Sequence, residues 1–283
     1  MPYLVPIDTA RAQFPDYTFV CALTPSAQKA AFHVRDTEGN DLCLKLIAPN
    51  YGRNRLDREI LALQSITHPN VVRLKEYVFS SKEGEQRHYI LEEFVDGEDL
   101  TDKLQPGATW TLMDASVFFE AICDGLSALR DAEVVHRDLK PSNIRVRTDG
   151  SPVIIDFGLA RHLRLSDLTS TADGAQIGTP LYFAPEQFTG TKHEIDYRTD
   201  LFAVGVLMYQ ALVGSHPFWQ DGMTHEELRD AVCNSYDYCN DPVFGALPGP
   251  WKLVIGRLLE KQRAKRPQRA AQVAAILRNM REA

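Results

Sequence analysis

The hydrophobic pattern of this chain changes its period once, and that change limits the possible folds more than any other feature. Between residues 17 and 94 lie five runs rich in branched or aromatic residues, YTFVCAL, KAAFHVRD, NDLCLKLI, VVRLKEYVF and HYILEEF, each of strand length. One helical stretch interrupts them. RLDREILALQSI sets Leu56, Ile60 and Leu63 at i, i+4 and i+7, with Asn54 as its cap and Pro69 just beyond its end. From residue 100 onward the period is that of a helix: in 112–131 through Phe118, Ile122, Leu126 and Leu129, in 200–213, and in 268–281 through Val273, Ile276, Leu277 and Met280. Between the two regimes, VDGEDL (95–100) is a short polar crossing with one glycine, which suits a hinge between lobes.

With 283 residues, 44% of them hydrophobic, the chain buries a sizeable core. Its net charge of -7 argues against a general phosphate-backbone binder, so no nucleic-acid partner is expected. The basic run KQRAKRPQR (261–269) reads as a solvated helix end. The five cysteines are odd in number and lack a CxxC pair, which suits a reduced, cytoplasmic protein; Cys233 and Cys239 are expected to be small buried hydrophobes rather than metal ligands. The N-terminus lacks a signal core and a Gly at position 2. LFAVGVLMYQALV (201–213) is too short to span a bilayer and carries Gln210, so no membrane segment is expected; apolar all round, it reads as a buried helix.

The polar residues cluster after Val134 and Val135, in HRDLKPSN (136–143), and the two valines read as a strand that anchors the cluster. The following NIRVRTDGSPVIIDFG alternates Ile144 and Val146 with Arg145 and Arg147, turns at Asp149-Gly150 and returns through Val153 to Ile155. That hairpin brings Asp138, Asn143 and Asp156 to one end. Two carboxylates and an amide oxygen are hard donors that suit Mg2+, and Mg2+ suits phosphates.

HRDLKPSN, DFG (156–158) and GTPLYFAPE (178–186), in this order, resemble the catalytic loop, metal loop and substrate-facing segment of eukaryotic-like (Hanks-type) serine/threonine protein kinases, in the style of stand-alone bacterial members. CLKLI, REILALQSITHPNVV and YILEEFVDGEDL resemble the lysine strand, the helix with its partner Glu and the adenine hinge, and the likeness runs over roughly residues 17–280. It implies an α+β, two-lobed fold: an N-terminal extension (1–16), then a kinase domain (17–283) with a small antiparallel-sheet N-lobe (17–94) carrying one main helix, a hinge (95–100) and a larger, mainly helical C-lobe (101–283). It implies ATP with Mg2+ or Mn2+, and transfer of phosphate to Ser or Thr of a protein substrate, the LKPSN form resembling the Ser/Thr branch. Carried over, Asp138 orients the acceptor hydroxyl, Lys140 steadies the moving phosphoryl group, and Asn143 and Asp156 hold metal. Lys45 grips phosphates with Glu59 as its partner, while Leu23, Glu93 and Val95 line the nucleotide site. The histidine of HRD is architectural, Glu186 and Arg266 form a buried brace, and Asp200 is scaffold. Ser166, Thr169, Ser170 and Thr171 are candidate autophosphorylation sites, with Arg137 as a partner for the phosphate.

Two positions depart from the family. The first strand turn, LTPSAQKAA, has Thr24, Ser26 and Lys29 where glycines cover the phosphates, with Lys29 expected on a solvated hairpin. Glu92 stands where the back of the adenine pocket is usually apolar or small, and strand alternation forbids Glu92 and Glu93 from both pointing outward. A buried Glu92 needs a partner, and Lys45 is the one the motifs offer. These departures give the alternative: a pseudokinase scaffold acting through protein interactions.

Overall fold

A computed structural model describes residues 2–26, 29–48, 63–79, 88–156, 180–189 and 194–282. Glu59 with most of its expected helix, Phe157 and Gly158, and the candidate phosphorylation sites at 166–171 lie outside the described residues. The chain divides into two compact units, one running to His68 and including Val72–Val95, the other combining Pro69–Val71 with the chain from Asp96.

In the first unit, β1 (Thr18–Ala22), β2 (Lys29–Arg35), β3 (Asp41–Ile47), β4 (Leu74–Phe79) and β5 (His88–Glu93) form an antiparallel sheet in the order β1-β2-β3-β5-β4. Alternation along β3 sends Leu42, Leu44 and Leu46 to one face, where Phe32, Val34 and Leu91 join them. That apolar face needs a cover. It receives α1 (Ile7–Gln13), whose Ala10 is fully buried, and Phe14, whose ring meets Tyr89 edge-on at 5.0 Å. The stretch read as an N-terminal extension therefore contributes to the core of this unit. The opposite face follows from the register: Ala31 lies across from Lys45, Ile90 across from Lys45 on the other side, and Glu92 across from Cys43.

The second unit holds a small sheet, β6 (Glu98–Asp99), β7 (Ile144–Val146) and β8 (Pro152–Ile154), with β7 and β8 antiparallel as the hairpin pattern requires. Its helices are α2 (Leu100–Lys103), α3 (Leu112–Asp131), α4 (Pro185–Thr189), α5 (Tyr197–Val213), α6 (His225–Asn234), α7 (Pro242–Ala246), α8 (Gly249–Leu258) and α9 (Ala270–Glu282). Thr111 caps α3 by accepting from the Asp114 N–H, and Asp196 caps α5, which ends at Gly214 with φ 81°. α5 is buried almost all round, and Gln210, the polar residue within its apolar stretch, accepts from the Tyr182 hydroxyl at 2.8 Å. α9 packs along α3, and α8 packs against α5.

Two expectations are corrected. Val134 and Val135 are in no strand: the Val134 N–H bonds back to the Leu129 carbonyl at 2.8 Å, closing the end of α3 instead of joining a ladder. Cys239 is exposed and Cys233 half-buried, because a short 3-10 turn at Asp237–Asn240 carries Cys239 outward while Tyr238 takes the core position. No helix among the described residues is long and apolar enough to cross a membrane.

Candidate active site

The catalytic-loop residues lie in the second unit, and their geometry starts from α5. Asp200, in its first turn, is buried and accepts two adjacent backbone N–H groups, His136 at Oδ2 and Arg137 at Oδ1, both at 2.8 Å. Burial pushes the Asp200 carboxyl up, while these bonds and the nearby His136 and Arg137 pull the other way. The pair of bonds holds Arg137 in the left-handed region at φ 65°. The Arg137 carbonyl accepts from the Gln187 amide at 2.8 Å, so this residue is pinned on both sides of its strained backbone. Among the described residues, the non-glycine positions with positive φ are Glu133, Arg137 and Asp156, all on or flanking this loop.

His136 is fully buried. Its Nε2 lies 3.0 Å from the Ile155 carbonyl, and its Nδ1 is 3.3 Å from the Asp138 N–H. The two contacts define the tautomer, with the proton on Nε2, and make the ring a strut between the loop and the end of β8. Asp138 then presents its carboxylate to two donors. Lys140 Nζ reaches Oδ2 at 2.9 Å, and Asn143 Nδ2 donates to the Asp138 carbonyl at 2.7 Å and to Oδ2 at 3.2 Å. The Ile155 N–H bonds the Asn143 carbonyl at 2.9 Å, which brings Asp156, at φ 56°, to the end of the same loop. Asp138, Lys140, Asn143 and Asp156 are thus drawn together by one loop and one hairpin.

Asn143 spends its amide nitrogen on Asp138, and its amide oxygen takes no part in those bonds. An amide oxygen and a carboxylate fit a divalent cation that takes its remaining ligands from water and phosphate. Beside the loop, a cavity of about 240 Å³ is bounded by Asp138, Lys140, Leu181, Tyr182, Phe183 and Thr199. The segment on its far wall is braced beneath by Glu186, which accepts two bonds from the Arg266 guanidinium, at 2.7 and 2.8 Å, and one from Thr199 at 2.8 Å. Gln187 was not singled out by sequence reasoning. The signal was its place directly after the APE run, but its partner carbonyl is 50 residues away in sequence.

The remaining predicted residues lie in the first unit. Lys45 is buried and its Nζ is 2.6 Å from Glu92 Oε2; Glu92 is buried as well. Glu93 is half-buried and donates its N–H to the Arg73 carbonyl at 2.9 Å, Val95 is buried, and Leu23 donates its N–H to the Ala31 carbonyl at 2.8 Å. The glycine-free turn closes through Ser26: its N–H bonds the Lys29 carbonyl at 2.9 Å and its hydroxyl accepts the Lys29 N–H at 3.1 Å. Lys29 is buried rather than solvated, because it opens β2 across from Ile47.

The chain matches the family model described as the protein kinase domain over residues 30–276. It is 34% identical over 230 residues to the serine/threonine-protein kinase pkn2 of Myxococcus xanthus, covering 79% of this chain and 26% of that protein. It is 32% identical over 186 residues to a probable serine/threonine-protein kinase PknB of Corynebacterium glutamicum, covering 64% and 28%, and 32% identical over 215 residues to human serine/threonine-protein kinase DCLK3, covering 75% and 31%. The matched region is therefore about a third or less of each of these relatives.

Proposed function

The chain belongs to the protein kinase domain family, and from that premise we propose that it transfers the γ-phosphate of ATP to Ser and Thr hydroxyls of a protein substrate. The observation that carries this reading is the Asp138 carboxylate, steered by Lys140 and Asn143 on a pinned loop that opens onto a cavity. Phosphoryl transfer asks a protein mainly for positioning and for cations around spreading negative charge. In this reading Asp138 accepts a hydrogen bond from the acceptor hydroxyl and aims its oxygen at the phosphorus. Lys140, within reach of the same carboxylate, lends its charge to the phosphoryl group as it moves. Asn143 and Asp156 hold the metal, Mg2+ or Mn2+, which when bound neutralises charge on the phosphates. Lys45, with Glu59, engages the phosphates, and Leu23, Glu93 and Val95 receive the adenine. The names of the relatives, all serine/threonine kinases, support the choice of Ser and Thr as acceptors. We further propose that the loop carrying Ser166, Thr169, Ser170 and Thr171 accepts phosphate from the same site, and that the protein works in the cytoplasm.

The test is ATP turnover on a generic Ser- and Thr-rich protein, with Mg2+ and with chelator. Metal-dependent appearance of phosphoserine or phosphothreonine supports the proposal. Bound ATP with no transfer would favour the scaffold alternative. Mass spectrometry of the chain from the same incubation checks the 166–171 proposal.

A further inference from the structure

We infer that Glu92 is a positioning residue that restrains Lys45 and thereby sets how tightly the nucleotide phosphates are held; the inference rests on the reading of Lys45 as the phosphate-gripping lysine. The restraint is written into the sheet. Glu92 pairs with Cys43 on one side and Leu74 on the other, so it sits on an inner strand with both ladders fixing its backbone. Lys45 pairs with Ile90, two residues before Glu92, which makes Lys45 and Glu92 diagonal neighbours on one face of β3 and β5. Their charged groups meet at 2.6 Å, with side-chain exposures of 9% and 5%.

A carboxylate in that position has no low-cost alternative. Drawing Lys45 away leaves a buried charge without its counter-ion, a state that proteins avoid. Phosphates that recruit the ammonium must therefore compete with Glu92 or share the ammonium with it. In the shared arrangement they approach a group whose charge is already largely neutralised. Either way Glu92 acts on ATP through Lys45, and a ligand without phosphate does not meet the restraint.

The experiment is calorimetry of ATP with Mg2+, and of adenosine, on the wild-type chain, Glu92→Gln and Glu92→Met, with each variant's folding checked by circular dichroism. Glu92→Gln keeps the shape of the side chain, so one of the two remains informative if Glu92→Met does not fold. The inference predicts ATP bound roughly tenfold tighter by the variants, the worth of one charge-assisted hydrogen bond, a gain well beyond any change in adenosine affinity. ATP bound no more tightly by the folded variants, an equal gain for adenosine, or no ATP binding by wild type and variants alike would each overturn it. The outcomes separate from those of the proposed activity. Phosphotransfer with no gain in affinity sinks this inference alone, whereas tighter ATP binding in variants that transfer nothing upholds it and counts against the activity.

Discussion

One carboxylate, Asp200, serves two adjacent N–H groups, and that arithmetic makes its chemistry testable. An aspartate has two acceptor oxygens, whereas an asparagine has one oxygen and an NH2 that opposes the second donor. Asp200→Asn therefore leaves either His136 or Arg137 without an acceptor in a buried site, at a cost of about 1–3 kcal/mol, and slackens the strained turn at Arg137. The expected outcome is a lower denaturation midpoint together with slower phosphotransfer. His216 provides a pH handle. Burial pulls its pKa down to about 4, and its Nε2 lies 3.0 Å from the Leu181 carbonyl on the wall of the cavity. With the folded value below the usual 6.5, protons bind the unfolded chain first, so stability is lost as pH falls from about 6.5 to about 4. The loss at the bottom of that window is on the order of 3 kcal/mol. His216→Gln should flatten this part of the stability profile measured by urea denaturation. The convergence of Asp138, Asn143 and Asp156 was legible because the hairpin turning at Asp149-Gly150 returns the chain to the loop, whereas the roles proposed for these residues come from the family resemblance. Glu92's need of Lys45 was legible as well, from the buried strand position and the lysine the motifs offered, whereas Gln187 was not, because it answers to a backbone carbonyl 50 residues away.

The elements were read correctly where the periodicity was sustained. β7 and β8 alternate about the turn at Asp149-Gly150, α3 keeps its apolar stripe through Phe118, Ile122, Leu126 and Leu129, and α5 is apolar almost all round. The reading of Val134 and Val135 as a strand failed because two valines specify extended backbone but not a partner, and the backbone here serves the end of α3. α1 was missed as part of the core for a related reason: nothing in its own short sequence announces the apolar sheet face that it covers. Packing between elements sets limits that propensity cannot foresee. Gly205 in α5 is such a place, since a Cβ there would lie 2.7 Å from Leu258 Cβ and 3.0 Å from Leu259 Cδ2. Alanine favours a helix by about 1 kcal/mol over glycine, while forced separation of packed helices costs about 1–3 kcal/mol. Because Leu258 Cβ is not a flexible tip, the clash should win, and Gly205→Ala should lower the thermal midpoint instead of raising it.

At the scale of the molecule, the single change of hydrophobic period foretold one strand-built and one helix-built unit, and each proves to have its own supports. The first rests on the apolar sheet face under α1 and Phe14; the second rests on α5 and the buried Glu186–Arg266 brace. The activity proposed for this chain is the transfer of phosphate. Its most direct test compares the wild-type chain with Asp138→Asn for Mg2+-dependent transfer of the terminal phosphate of ATP to Ser and Thr of a protein acceptor, with ATP affinity measured alongside. The account predicts phosphoserine and phosphothreonine from the wild type, and a fall of roughly 100- to 10,000-fold in the variant at nearly unchanged ATP affinity. Equal turnover by the two proteins, or a wild-type chain that binds ATP and transfers nothing, would contradict it.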